Sequence, residues 1–385
     1  MRERPMRVVW TDGGPDAVGT LREALAEALD GGPAVLPLNT RDPAASTLHE
    51  AMRPEDPVEP GTAVVVATSG STGEPKGVLL SPGALLASAD AAHSRIGGPG
   101  HWLLATPAHY VGGLQVLVRS WRAGTVPVVL DTSAGFRADA FAEAAALLDE
   151  GPRYTALVPA QLARLLDAGG RAVEALAGFD AIVLGGAALD ARLRERARFA
   201  GARVCSAYGM SETAGGCVYE GVPLDGVTVR LGEGDRVEIG GPTLAHGYRS
   251  RPGLSREAFG GGWFRTSDLG RLDDGLLEVL GRADDVINTG GVKVPAATVE
   301  RALLAHPGVA QACVVGVPDP QWGQAVVAVV VPAGAPPHAE ELRSAVRAAA
   351  GAPAVPKQVE FASALPLRGP GKVDRAAVLD GLGHG

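Results

Sequence analysis

Lysine is nearly absent: four of the 35 basic residues are lysine (Lys76, Lys293, Lys357 and Lys372), and the rest are arginine. With alanine, glycine and proline abundant, this reads as a GC-rich coding bias that substitutes arginine wherever charge alone matters. A lysine that survives needs a reason, because a compact ammonium on a flexible stem is not replaced by a planar guanidinium in a tight site. Lys357 alone shows no such reason in the sequence. Cysteine is equally sparse: Cys205, Cys217 and Cys313 are odd in number, far apart and without a CxxC pair, which excludes a disulfide framework and a zinc cluster. No excess of positive charge exists either. The formal net charge of −8 argues against a general nucleic-acid or anionic-membrane binder. The longest apolar stretch, residues 325–331, is too short to span a bilayer, and the N-terminus MRERPMRVVW lacks the apolar region of a signal peptide. The expected compartment is the cytoplasm, with no membrane insertion.

What is present fits a globular chain of more than one domain: 385 residues, 46% of them hydrophobic and 20% charged. From residue 62 to 207 short β-branched runs (63–67, 102–105, 126–130, 155–158, 181–184 and 203–206) alternate with amphipathic stretches of helical length (83–94, 113–122, 138–148, 161–167 and 191–199). Such alternation predicts crossover units on a largely parallel sheet. Ser81-Pro82 is a helix start, with a hydroxyl at the cap and proline at the first position. After residue 220 the pattern turns β-rich, and 296–361 reads as a small αββα-like unit. The expected fold class is α/β: a large N-terminal domain, 1–283, with mixed and largely parallel sheets, and a small mobile α+β domain, 284–385.

The stretch TSGSTGEPKGV, residues 68–78, is the first that carries chemistry. Gly70, Gly73 and Gly77 let the backbone approach a ligand, Thr68, Ser69, Ser71 and Thr72 add donors, and Lys76 adds charge, which together make a phosphate cradle. It is not a Walker A loop, since Pro75 precedes the lysine and Gly77 follows it.

This stretch resembles the phosphate-binding signature of adenylate-forming enzymes: acyl- and aryl-CoA synthetases, peptide-synthetase adenylation domains and luciferases. Five further segments resemble that family in the same order. Leu184-Gly185-Gly186-Ala187 is similar to its adenine-binding turn, Tyr208-Gly209-Met210-Ser211-Glu212-Thr213 to its YGxTE element, and residues 263–270, with Asp268, to its ribose-binding segment. Gly281-Arg282-Ala283-Asp284 is similar to its hinge, and residues 369–373 to its C-terminal lysine loop. The resemblance implies ATP, Mg²⁺ and coenzyme A as reactants and cofactor, with a small carboxylic acid as partner. It implies Lys372 as the main catalytic residue between carboxylate and α-phosphate, Glu212 as the metal ligand and Thr213 as an α-phosphate donor. Asp268 would bind the ribose, Arg282 ribose or phosphate, Asp284 would be the pivot, and Gly290, Gly291 and Lys293 would face the thiol acceptor. The charge logic agrees, because a carboxylate attacking a phosphate joins two anions and needs cations around them.

Residues 107–115 resemble the family's acyl-site motif, giving His109 and Tyr110 as pocket residues, with Arg119 or Gln161 as partner for a second carboxylate. Amino-acid adenylation is disfavoured, since Val111, Gly112 and Gly113 stand where an amine-binding aspartate is expected. The short segment before residue 68 and the 107–124 and 157–162 runs are most similar to compact o-succinylbenzoate–CoA ligases of menaquinone biosynthesis. Departures from the family pattern are Tyr110 for histidine, Ser267 for glycine and Ala297 for glutamate. Two alternatives stay open: an adenylating ligase for another acid, with CoA or a carrier protein as acceptor, and a non-catalytic nucleotide-binding regulatory protein. A homodimer is compatible with the family and not specified by the sequence.

Overall fold

A computed structural model describes residues 4–69, 74–367 and 373–383. The chain divides into two compact units, the first made of residues 1–186, 195–230 and 238–265 and the second of 187–194, 231–237 and 266–385.

Two sheets build the first unit. In the five-stranded one, Met6–Thr11, Ala34–Asn39 and Val64–Ser69 run parallel; Pro75–Leu80 returns antiparallel and Gly247–Tyr248 closes the edge. The helices Pro15–Leu29 and Ala45–Met52 connect its first strands. The seven-stranded sheet places Arg153–Leu157 centrally, with His101–Leu104, Val128–Val129, Ala181–Leu184 and Val204–Met210 joined to it by parallel pairings. An antiparallel meander, Gly215–Tyr219 and Val222–Pro223, extends it beyond Val204–Met210. The expected crossover sheet is therefore there, with an antiparallel margin. The strand expected at 126–130 shrinks to two residues, and the helix expected over 138–148 ends at Ala145. The helix Pro82–Ile96 starts as its sequence predicts: the Ser81 hydroxyl accepts from Ala84 N at 3.1 Å, Pro82 opens the first turn, and Gly97 at φ 111° ends it.

The second unit is organised by a long antiparallel pair, Val309–Asp319 with Gly323–Pro332, to which Gln358–Phe361 adds in parallel. The apolar run that is too short for a membrane is this buried strand, and its valines divide by the pleat. Val326, Ala328 and Val330 pack with Val314 against the helices Ala296–Leu304 and Ala339–Ala350, whereas Val327 and Val329 pack with Cys313 and Val315 against Leu365 and Val378. Val378 lies on Arg375–Leu382, a helix the sequence pattern does not announce. Among the described residues no helix is long and apolar enough to cross a membrane.

Candidate active site

The strands that flank the phosphate-loop stretch pair antiparallel: Thr68 lies opposite Lys76 across Val64–Ser69 and Pro75–Leu80, and the Thr68 hydroxyl donates to the Lys76 carbonyl at 3.2 Å. Gly70, Ser71, Thr72 and Gly73 lie outside the described residues, as does Lys372. Gly77 is required by close packing, since a Cβ there would stand 2.9 Å from Val65 Cγ1 and nearer still to the Met52 sulfur. The returning strand delivers Lys76, half-buried, to the edge where Tyr248 pairs with Val78.

Glu212 reaches the same place from the other sheet. The strand Val204–Met210, carrying Tyr208 and Gly209, runs into a single turn, Ser211–Thr213, tied back by the Ala245 N–H donating to the Glu212 carbonyl at 2.8 Å. The Tyr248 phenol donates to Glu212 Oε1 at 2.9 Å, and Lys76 Nζ lies 5.8 Å from the centre of the same ring. Burial first, then the Glu212 charge, pushes the phenol pKa well above its usual range, so Tyr248 stays a neutral donor. Tyr248 is absent from the sequence reading. Its only signal there is an aromatic residue after glycine in an aromatic-poor chain.

Thr213, the expected α-phosphate donor, is engaged within its own turn in this structure. Its side chain is wholly buried, and its hydroxyl accepts from Met210 N at 2.9 Å while facing the Gly215 carbonyl at 2.7 Å, so it closes the turn that presents Glu212. Gln161 is likewise engaged by backbone: it donates to the Ala105 carbonyl at 2.7 Å and accepts from Val158 N at 3.0 Å. It caps its own helix in this structure. Gly185 donates to the Leu157 carbonyl at 3.1 Å at the end of Ala181–Leu184, and Gly186 turns at φ 83° before the exposed Ala187.

His109 and Tyr110 precede the helix Val111–Ala123, their rings 4.1 Å apart. His109 is buried, its Nε2 has no partner among the described residues, and burial lowers its pKa to about 4, leaving a neutral imidazole. Val111, Gln115 and Arg119 follow at helical spacing along one stripe. Arg119 is only 2% exposed; it donates to the Tyr219 hydroxyl at 3.1 Å and lies over the Trp102 ring at 5.0 Å. Its Nε has no partner, and among the described residues no carboxylate pairs with it. A buried guanidinium in this condition carries a desolvation cost that no carboxylate among the described residues offsets.

In the second unit, Asp268 and Arg282 face each other across an antiparallel pairing and form an ion pair at 3.9 Å, and Arg282 donates to Asp284 at 2.8 Å. Arg271 pairs with Glu278 at 2.8 Å. Gly290 and Gly291 are the two-residue turn of the hairpin Val286–Thr289 and Val292–Pro295, both at positive φ, as such a turn requires; Lys293 next to it is exposed. The sequence reading also passes over Arg375. It donates twice to Glu300, at 2.6 and 2.8 Å, once to the Val314 carbonyl at 2.8 Å, and pairs with Asp285 at 3.1 Å. Nor is Lys357 without a partner, for its Nζ sits 4.2 Å over the Trp322 ring.

The AMP-binding enzyme family model matches residues 9–246, and the AMP-binding enzyme C-terminal domain matches 298–372. Over 381 residues the chain is 46% identical to a probable 2-succinylbenzoate–CoA ligase of Mycobacterium tuberculosis, covering 97% of this chain and 98% of that protein. An o-succinylbenzoate CoA synthetase from Bacillus subtilis, solved with an acyl-adenylate intermediate, shares the fold with a TM-score of 0.83 at 24% identity, over 98% of this chain and 88% of that one. An amide bond synthetase from Marinactinospora thermotolerans is 30% identical with a TM-score of 0.78, over 98% and 80%. The chain therefore belongs to the AMP-binding enzymes.

Proposed function

We propose that the protein activates 2-succinylbenzoate, the o-succinylbenzoate of the sequence reading, with ATP and passes the acyl group to coenzyme A. In the first step a carboxylate oxygen of the acid attacks the α-phosphorus, the bond to the β-phosphate breaks, and pyrophosphate leaves. In the second the thiol sulfur attacks the acyl carbon, AMP leaves, and the thiol proton passes to solvent. Lys76 supplies charge to the phosphates, Lys372 bridges the carboxylate and α-phosphate, Asp268 takes the ribose hydroxyls and Arg282 supports it. His109 and Tyr110 line the acid pocket. The small domain, 284–385, pivots at Asp284 to bring the Gly290-Gly291 turn and Lys293 to the thiol.

Glu212 fits Mg²⁺: one oxygen is held by Tyr248, and no trio of acidic or histidine side chains among the described residues forms an all-protein metal site. One carboxylate plus substrate phosphates is how this ion is commonly held, and once bound it neutralises charge on the triphosphate.

The observation that supports the substrate reading is Arg119, a buried cation on the helix that follows His109 and Tyr110, with no carboxylate partner among the described residues. An acid with two carboxylates supplies the missing anion while the other carboxylate reacts. The 46% likeness to the mycobacterial protein supports the same choice. The likeness to an amide bond synthetase favours testing an amine or carrier-protein acceptor alongside. Mass detection of products from ATP, Mg²⁺, CoA and a panel of acids decides: 2-succinylbenzoyl-CoA and AMP are expected, AMP with another acid moves the substrate, and no AMP with any acid removes the reading.

A further inference from the structure

The phosphate lysine and the metal carboxylate meet at one phenol. Tyr248 is 7% exposed and sits on the short edge strand Gly247–Tyr248. Its backbone N–H donates to the Ser255 hydroxyl at 2.8 Å, and its ring packs on Phe259 at 5.5 Å, which stacks on Phe264 at 4.9 Å. The next residue fixes the strand from the other side: Arg249, 4% exposed, donates to the carbonyls of Met52, Arg53, Asp56 and Pro57 and pairs with Glu59 at 3.0 Å. A group held this firmly can hold others. The hydroxyl fixes Glu212 Oε1, and the ring face meets Lys76.

We infer that Tyr248 is a positioning residue for adenylation: its hydroxyl aims the second oxygen of Glu212 at the metal–triphosphate, and its ring supports Lys76 without neutralising it. A carboxylate in place of the phenol would pair with Lys76 and compete with phosphate. A bare apolar side chain would leave Glu212 free to swing toward the lysine. The inference rests on the proposed role of Glu212, and the experiment separates the two.

The test measures Mn²⁺ binding to the full-length protein with α,β-methylene-ATP, followed by the electron paramagnetic resonance signal of free Mn²⁺, for the parent, Tyr248→Phe, Glu212→Gln and the double variant. Tyr248→Phe keeps the ring and its packing on Phe259, and a thermal melt checks that the fold is intact. Losing a partner that orients a metal ligand weakens metal binding about tenfold or more, so Tyr248→Phe is expected to weaken Mn²⁺ binding about tenfold. Metal-free binding of the analogue should change less than about twofold, and adding Tyr248→Phe to Glu212→Gln should cost less than about twofold more. Normal Mn²⁺ affinity in Tyr248→Phe with impaired affinity in Glu212→Gln overturns the inference and leaves the function standing. Equal weakening with and without metal, or an undiminished effect in the double variant, overturns it too. Normal Mn²⁺ affinity in Glu212→Gln removes the metal role itself, and the inference with it.

Discussion

Arg119→Met tests whether the buried guanidinium is there for the ligand or for the fold, because the two roles give opposite signs. Methionine roughly keeps the length of the side chain and removes its charge. The free protein loses the contact with Trp102, about 0.5–2 kcal/mol, and the bond to Tyr219, about 1.5–3 kcal/mol. It also escapes the cost of a desolvated cation with no carboxylate partner, several kcal/mol by itself. These terms nearly cancel, so folding stability should change by no more than about 1 kcal/mol, and a gain is as acceptable as a loss. Binding has no such offset. Removing one partner of a buried charge pair costs about 2–5 kcal/mol, or about 30- to 4,000-fold in kcat/KM for an acid whose second carboxylate sits on Arg119. ATP–pyrophosphate exchange with 2-succinylbenzoate, against benzoylpropionate, which lacks the ring carboxylate, isolates that contribution. The dicarboxylic acid should lose its advantage while the monocarboxylic analogue barely changes. Equal losses for both acids, or a fall of more than about 2 kcal/mol in stability, would refute the reasoning and make Arg119 a structural residue.

Lys372→Ala should depress acyl-adenylate formation by about a hundredfold or more while thioester formation from supplied acyl-adenylate continues; equal loss in both half-reactions excludes a pivoting small domain. Arg375→Ala strands Glu300 and Asp285 and should cost about 2–4 kcal/mol of stability in the second unit, read by hydrogen exchange of Gly323–Pro332. An unchanged exchange pattern would make the cluster decorative. Stability should also fall with acid. His93 and His109 both have folded pKa values lowered from 6.5 to about 4, chiefly by burial, so the unfolded chain takes up protons first. Their contribution is complete above about pH 6.5 and is lost as pH falls toward 4, by up to about 3 kcal/mol each. Urea unfolding at several pH values measures it, His109→Gln should remove about half of the slope, and a flat profile contradicts the burial.

The crossover sheet was legible because its strands are β-branched runs between helices with a period of their own, and the Ser81-Pro82 start because capping is local chemistry. Less legible was what depends on partners far away in sequence. Pro75–Leu80 becomes a recognisable strand only through its pairing with Val64–Ser69. The bonds that Thr213 and Gln161 make to backbone atoms were likewise not visible in the sequence. Tyr248 and Arg375 carry no motif on their own, and each gains its meaning from Glu212 or Glu300, distant along the chain. His109 stands between the two cases: the segment marks it, but only burial shows that it is neutral and unpartnered.

The scarcity of aromatic residues, 4% of the chain, sharpens the question of where they are placed. Lys76 meets Tyr248, Arg119 meets Trp102 and Tyr219, and Lys357 meets Trp322. A carboxylate would hold each cation more strongly and would also neutralise it. An aromatic face attracts a cation by its quadrupole alone, about 0.5–2 kcal/mol, and leaves the full charge for an incoming anion. For a protein whose proposed reactants are a triphosphate, a dicarboxylic acid and a phosphorylated thiol, that difference decides whether a cation is a structural ion pair or a binding site. Replacing Trp102 by glutamate in the presence of Arg119 would turn the second into the first: the guanidinium would gain a partner, loss of the fully buried ring would cost about 3–5 kcal/mol of stability, and in the protein that still folds the advantage of the dicarboxylic over the monocarboxylic acid would disappear.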